Sequence, residues 1–461
     1  MRDLLVTLIV FGSLPVTLMQ PHIGVLVFSW ISYMNPHRLS WGFAYDFPFA
    51  MVVGAFTFAA WILSREPKTL PLNGLTVLML AFVAWFSFTA TPLIAYDPRE
   101  AYVYWVQVIK IFSMIFLTMI LFRERRRITW LVWVIYLSIG YFGIKGGIFT
   151  ALTGGQFRVW GPEGSFIADN NALALALVMI VPLGRYLQLQ SKNRWIRWGL
   201  LACFPLILLS IIASYSRGAF LALFVMAAYL ALKSRHRLRS FALVLVTLPA
   251  LLAFMPEQFF RRVDTIETYE EDTSAQGRLN AWYFAMNFAV DHPVFGGGFE
   301  VFGVPSLWHY APNPSAQLNA HSVYFQVLAT QGGGGLILFL VIGIVAMSYG
   351  RWVVRRARDR TDLVWARDLA AMTQVGIVGF AAAGVFQNLA FFDLPWHFFA
   401  IMAILRSVVA HELSKPQGEV AAESAGGARG RFGPPPVPAR SSMPVAQSTV
   451  HRGDPAGLRP G

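Results

Sequence analysis

The chain has 461 residues, of which 56% are hydrophobic and 13% charged, and its formal net charge is +13. Soluble domains carry about 25% charged residues, so this composition excludes a soluble enzyme. A nucleic-acid partner is excluded too, because the basic residues lie in short clusters between apolar runs and form no reading head.

Apolar runs of roughly 20 residues, long enough to cross a bilayer, recur from the first residues to residue 410. They are apolar on every side, which predicts helices and not the alternating strands of a barrel. In chain order the expected spans are 4–20 with 22–34, 48–64, 74–91, 101–122, 128–150, 169–189, 197–213, 217–233, 240–256, 321–349, 367–388 and 392–410. The first pair reads as one broken crossing or a paired half-helix entry, interrupted by Pro15 and Pro21. That reading gives about 12 crossings with both ends in the cytoplasm, whereas two full helices would put the N-terminus outside. No convincing signal-peptide cleavage site follows the first run.

Four basic clusters fall in every second connection: Arg123 with Arg125 to Arg127, Lys192 with Arg194 and Arg197, Lys233 to Arg239, and Arg351 to Arg360. Arg65 and Lys68 fit the same side. This positive-inside pattern places 151–168, 257–320 and 389–391 outside and the C-terminus inside. The long outer segment holds the acidic stretch Glu267–Asp272 and then apolar residues at helical spacing from Arg278 to Asp291. A helix along the membrane surface or packed under the loop is expected there, stopped by His292, Pro293 and the glycines that follow. From about 413 the chain turns to Pro, Gly, Ala, Ser and Arg, the composition of a disordered tail. The domain reading is a transmembrane unit, 1–412, and a cytoplasmic tail, 413–461. Cys203 is the single cysteine, so an intrachain disulfide is excluded.

An arginine at an outer helix end needs a reason. Arg217 sits at a tight outer turn, Arg278 opens the surface helix and Arg158 lies in a smaller outer loop. Snorkelling or a local carboxylate explains any one of them. Two arginines and His321 on one face suggest more: guanidinium forks match a diphosphate, and a histidine accepts protons near neutral pH. Tyr324 falls on the face of His321 one turn on. Asp169, Asn170 and Asn171 cap the next span; with Glu163 they could also bind sugar hydroxyls. Gly332 to Gly335 are expected to serve close packing, since no strand precedes them to make a phosphate loop. No cluster has metal-ligand spacing, so neither metal nor cofactor is expected. Lys110, Lys145 and Asp393 lie in or near apolar runs, but no chain of polar residues marks a transport path.

Ser216-Arg-Gly-Ala, the Arg278-Leu-x-x-Trp block running to Pro293-x-Phe-Gly-x-Gly, and His321 at a helix mouth resemble the O-antigen ligase and polymerase superfamily. The stretch from Ser32 to Tyr45, Asp169-Asn-Asn-Ala-Leu-Ala, Ala320-His-Ser-Val-Tyr-Phe-Gln and Phe391-Phe-Asp-Leu-Pro are similar to one branch, the O-glycosylation ligases associated with exosortase-A systems. The resemblance implies an all-α, GT-C-like glycosyltransferase of the bacterial inner membrane with a periplasmic active site. Such an enzyme moves a whole glycan from undecaprenyl diphosphate to an acceptor, a lipid A core sugar or a protein. It implies that Arg217 and Arg278 hold the diphosphate and that His321 activates the acceptor hydroxyl or assists the displacement. The absence of paired carboxylates points to direct, inverting displacement. Many relatives have Asn after the histidine and an acidic residue nine positions on; here those places hold Ser322 and Thr330. A polymerase with a carrier-linked acceptor is the nearest alternative, and a lipid-linked glycan flippase is the alternative from another class.

Overall fold

The computed structural model describes residues 1–233, 273–315 and 318–415. The expected span 240–256, the acidic stretch Glu267–Asp272 and the tail beyond Lys415 lie outside the described residues. Among the described residues every regular element is helical: α1 (Arg2–Met19), α2 (Pro21–Met34), α3 (Phe49–Leu63), α4 (Gly74–Thr89), α5 (Pro98–Leu121), α6 (Arg125–Thr153), α7 (Asn170–Gln190), α8 (Arg194–Ala213), α9 (Arg217–Lys233), α10 (Thr273–Asp291), α11 (Val323–Arg356), α12 (Val364–Ala383) and α13 (Asp393–Ser414), with short 3₁₀ turns between some of them. Within this set eight are long and apolar enough to cross a membrane, and α2, α3 and α4 are shorter apolar helices. The chain is an all-α, polytopic membrane protein.

Of the readings of the N-terminal pair, the single broken crossing does not hold. Pro15 lies inside α1 without ending it, and Pro21 opens α2, where the missing N–H leaves no bond unmade. Arg2 donates to the Leu39 carbonyl (3.2 Å), and Asp3 accepts from the Gly42 and Ala44 amides (3.0 and 3.2 Å). The start of α1 therefore lies beside the loop that follows α2. These are two antiparallel helices, and the chain begins at the end of the bundle away from the basic clusters.

Hydrogen bonds sort the connections into two ends. At one end Arg127 grips both carboxylate oxygens of Glu66 (2.8 and 3.0 Å), Arg123 reaches the Thr69 carbonyl, Arg125 reaches Gln190 (3.2 Å), and Gln190 donates to Asp368 (3.0 Å). This is the basic end. At the other end the loops after α2, α4, α6, α8 and α12 gather with the start of α11. Between the ends, Phe82 of α4, Phe112 of α5, Phe339 of α11 and Trp396 of α13 interlock; the Phe112 and Trp396 rings are 4.5 Å apart.

The segment after α10 has a core of its own. Ala281, Phe284, Ala285 and Phe288 repeat at helical spacing and are fully buried against Val301, Phe302, Leu307, Leu318 and Ala320. Each buried phenylalanine contributes about 1.5–3 kcal/mol. α10 stops at Asp291, as the following His292 and Pro293 require.

The helix expected over 321–349 starts at Val323 and is broken at Gly332, whose φ of 69° and ψ of −176° are not helical. The amides freed by the break donate to another segment: Gly333 to the Pro293 carbonyl (2.8 Å) and Gly334 to that of Val294 (3.2 Å). In return Gly297 and Gly298 donate to the carbonyls of Ala329 and Thr330 (2.9 Å each). The glycine run therefore serves packing, against a backbone turn as well as Trp85 of α4.

Candidate active site

The site is built on the connector between α12 and α13. α12 ends at Ala383 and a 3₁₀ turn, Gly384–Phe386, follows, so the expected span 367–388 is shorter than its apolar run. Three helices begin around this turn. A Cβ on Gly218, in the first turn of α9, would lie 2.9 Å from Phe386, and one on Gly384 would lie 2.9 Å from Val323 at the start of α11. Gln387 reaches Asp169 (3.5 Å), the N-cap of α7. Glycine at 218 and 384 permits these approaches. The positive ends of α7, α9 and α11 thus meet at one place, an arrangement suited to an anion.

His321 stands at this meeting point. Its φ of +42° is left-handed, costly for a side chain with a Cβ, and strain of about 1–3 kcal/mol persists only where surroundings enforce it. The enforcing contacts are visible. Trp282 of α10 donates to the Ala320 carbonyl (3.0 Å) and its ring stacks on Phe325 (5.1 Å). Asn388 donates to the Asn319 side-chain oxygen (2.9 Å), which also faces the His321 amide (3.4 Å). Residues 319–321 are held from the helix before and from the connector after.

Burial holds the His321 imidazole below the ordinary histidine range, the positive charge of Arg278 pushes the same way, and the Asp169 carboxylate opposes both. The ring is therefore neutral at neutral pH and free to accept a proton. Arg278, half-buried on α10, lies close enough for its charge to act on His321. Arg217 is the first residue of α9, beside the turn that touches Phe386. Arg278 and His321 are thus neighbours, and Arg217 opens α9 at the same connector.

The other expected residues divide. Asp169 caps α7 by accepting from the Asn171 and Ala172 amides (2.9 and 3.3 Å) and also faces His321. Asn171 sits partly buried in the first turn of α7. The Tyr324 hydroxyl donates to the Ala381 carbonyl (2.8 Å), bracing α11 on α12. Arg158 lies near Tyr215 in the turn before Arg217, where its charge partly offsets the upward effect of burial on the phenol. Glu163 is exposed, and no contact ties it to His321 among the described residues. No cluster of three or more histidine, cysteine or carboxylate side chains is present among the described residues.

Sequence reasoning missed four residues that position the histidine: Trp282, Asn319, Gln387 and Asn388. Asn170, expected as part of the cap of α7, has a further role: its buried side chain donates to the Ser214 carbonyl (2.6 Å) and ties α7 to the turn before Arg217. The signal available was the polar pair Gln387-Asn388 inside an otherwise apolar run.

Two family models match the chain. A family of unknown function, DUF5935, covers residues 1–192, and a family described as O-antigen ligase covers residues 202–340. No curated protein matches. The second match contains Arg217, Arg278 and His321, and over residues 202–340 the chain is similar to the O-antigen ligase family.

Proposed function

We propose that this site transfers a preassembled glycan from undecaprenyl diphosphate to an acceptor hydroxyl, on a lipid A core sugar or a protein. The observation that supports the reading is a neutral His321 under the charge of Arg278, beside the connector where three helices begin and where Arg217 opens α9. The acceptor oxygen attacks the anomeric carbon while His321 takes its proton. The bond from that carbon to the carrier phosphate breaks, and the electron pair leaves with undecaprenyl diphosphate. Arg217, Arg278 and the helix N-termini meet the charge that develops on the leaving group. Attack and departure on opposite faces invert the anomeric configuration. The basic clusters at the far end support a periplasmic orientation of the site in the inner membrane.

The test is His321→Ala in purified protein supplied with a carrier-linked glycan and candidate acceptors. General-base catalysis contributes about 10²–10⁴-fold, so carrier release should fall by that factor while the melting midpoint stays unchanged. Release at the wild-type rate would remove His321 from the chemistry. Release that needs an acceptor lacking a carrier distinguishes transfer from polymerisation.

A further inference from the structure

A cavity of about 770 Å³ lies between α2, α3 and α5, roofed at the site end by Gly164, Ser165 and Phe166. Its walls are mainly apolar, yet α5 turns a polar stripe into it: Gln107, Lys110 and Ser113, at i, i+3 and i+6. Ser32 and Asn35 face them from the last turn of α2. Lys110 is the thirteenth residue of a 24-residue span, so its backbone lies about 18 Å from the first residue of α5. Among the described residues it has neither a hydrogen-bond nor a salt-bridge partner. A cation at that depth is costly, and the bilayer supplies no water to compensate it.

We propose that this groove binds an anionic glycerophospholipid of the surrounding bilayer, its phosphate on Lys110 and its chains along the apolar walls. Charge complementarity selects an anion, and the mainly apolar walls between membrane helices select a molecule with acyl chains. The glycan carrier is disfavoured as occupant: on the proposed function its diphosphate is held by Arg217 and Arg278, neither of which lines this cavity, and one head group does not occupy both positions. The lipid also sits against the chemistry. Phe166 is three residues from Asp169, at most about 11 Å of chain, and its ring packs 5.8 Å from Phe392 in the connector. A filled groove therefore supports the loop that carries Asp169 to His321.

The experiment measures binding of phosphatidylglycerol, phosphatidylcholine and undecaprenyl phosphate to the detergent-purified protein by native mass spectrometry, with melting midpoints alongside. Wild type should retain phosphatidylglycerol and melt at a higher temperature with it, and phosphatidylcholine should do neither. Lys110→Leu and Lys110→Gln should bind phosphatidylglycerol about tenfold more weakly, the loss of one charge-assisted contact. Lys110→Arg should restore binding, and Lys145→Leu, outside the groove, should leave it unchanged. Loss of undecaprenyl phosphate in place of phosphatidylglycerol in the Lys110 variants would overturn the proposal and make the groove the carrier's. Binding indifferent to residue 110 would overturn it as well.

Discussion

The two ends of the bundle are held by different chemistry. At the basic end, cations meet carboxylates and amides from neighbouring connections: Arg127 with Glu66 and Arg125 with Gln190. At the site end the fixing bonds run mostly to backbone: Trp282 to Ala320, Asn170 to Ser214, Tyr324 to Ala381, and the paired amides at Gly297, Gly298, Gly333 and Gly334. Ion pairs between flexible side chains tolerate small displacements, because Coulomb energy falls slowly with distance. Hydrogen bonds to main chain do not, because they weaken steeply with angle. A site that must hold a histidine against an unfavourable φ uses the stricter kind.

The sharpest way to break this contrast is Gly332→Ala. The position has φ +69°, and a Cβ there would lie 2.2 Å from the Val294 carbonyl oxygen and 2.6 Å from the Gly296 nitrogen, both backbone atoms that cannot swing aside. Strain and overlap together should cost at least about 3 kcal/mol. The expected outcome is a large fall in melting midpoint, accompanied by loss of transfer. A variant that melts with wild type would mean that the paired turns at 293–298 and 329–334 do not hold the site.

Arg278→Ala probes the electrostatics of the same end. Removing a preorganised donor to developing charge should lower transfer by about 10²–10³-fold. It should also move the acid limb of the pH profile. In the wild type, Arg278 and burial hold His321 low, so the base stays neutral, and activity persists, to a pH below the ordinary histidine value near 6.5. Without the arginine the histidine titrates higher, and activity is lost at a higher pH as conditions become acid. Arg278→Lys should keep the limb where it is. An unmoved limb in the alanine variant would separate the two residues.

Much of this arrangement was legible in sequence, and the exceptions have physical reasons. Long apolar runs and basic clusters follow from bilayer thickness and from charge asymmetry, which act on composition alone. Arg217, Arg278 and His321 stood out because charge at an outer helix end is expensive. The α1–α2 pair was misread because Pro21 looks the same whether it breaks a helix or starts one; Asp3 and its bonds to Gly42 and Ala44 decide the matter, and such tertiary bonds leave no periodic trace. The break at Gly332 was hidden for a similar reason. Four glycines announce close approach but not whether the neighbour is a helix or a turn. Trp282, Asn319, Gln387 and Asn388 act through single hydrogen bonds between segments up to 218 residues apart, which no local pattern records.

The smallest expected effect lies at the opposite end and completes the contrast. Arg127 and Glu66 form a bidentate pair whose side chains are 18% and 20% exposed. Pairs this close to solvent are worth about 1 kcal/mol, so Arg127→Ala should lower the melting midpoint by about 2 °C at most and leave the transfer rate unchanged. The hydrogen bond from Arg127 holds the Glu66 carboxyl below its ordinary value of 4.5. A carboxylate with a depressed folded pKa stabilises fully above its unfolded value and loses that contribution as the pH falls through the folded one. The gap between wild type and Arg127→Ala should therefore be constant from neutral pH down to about pH 5 and close below it. A transfer rate that fell with this pair would show that the basic end shapes the site, and the division between the two ends would have to be abandoned.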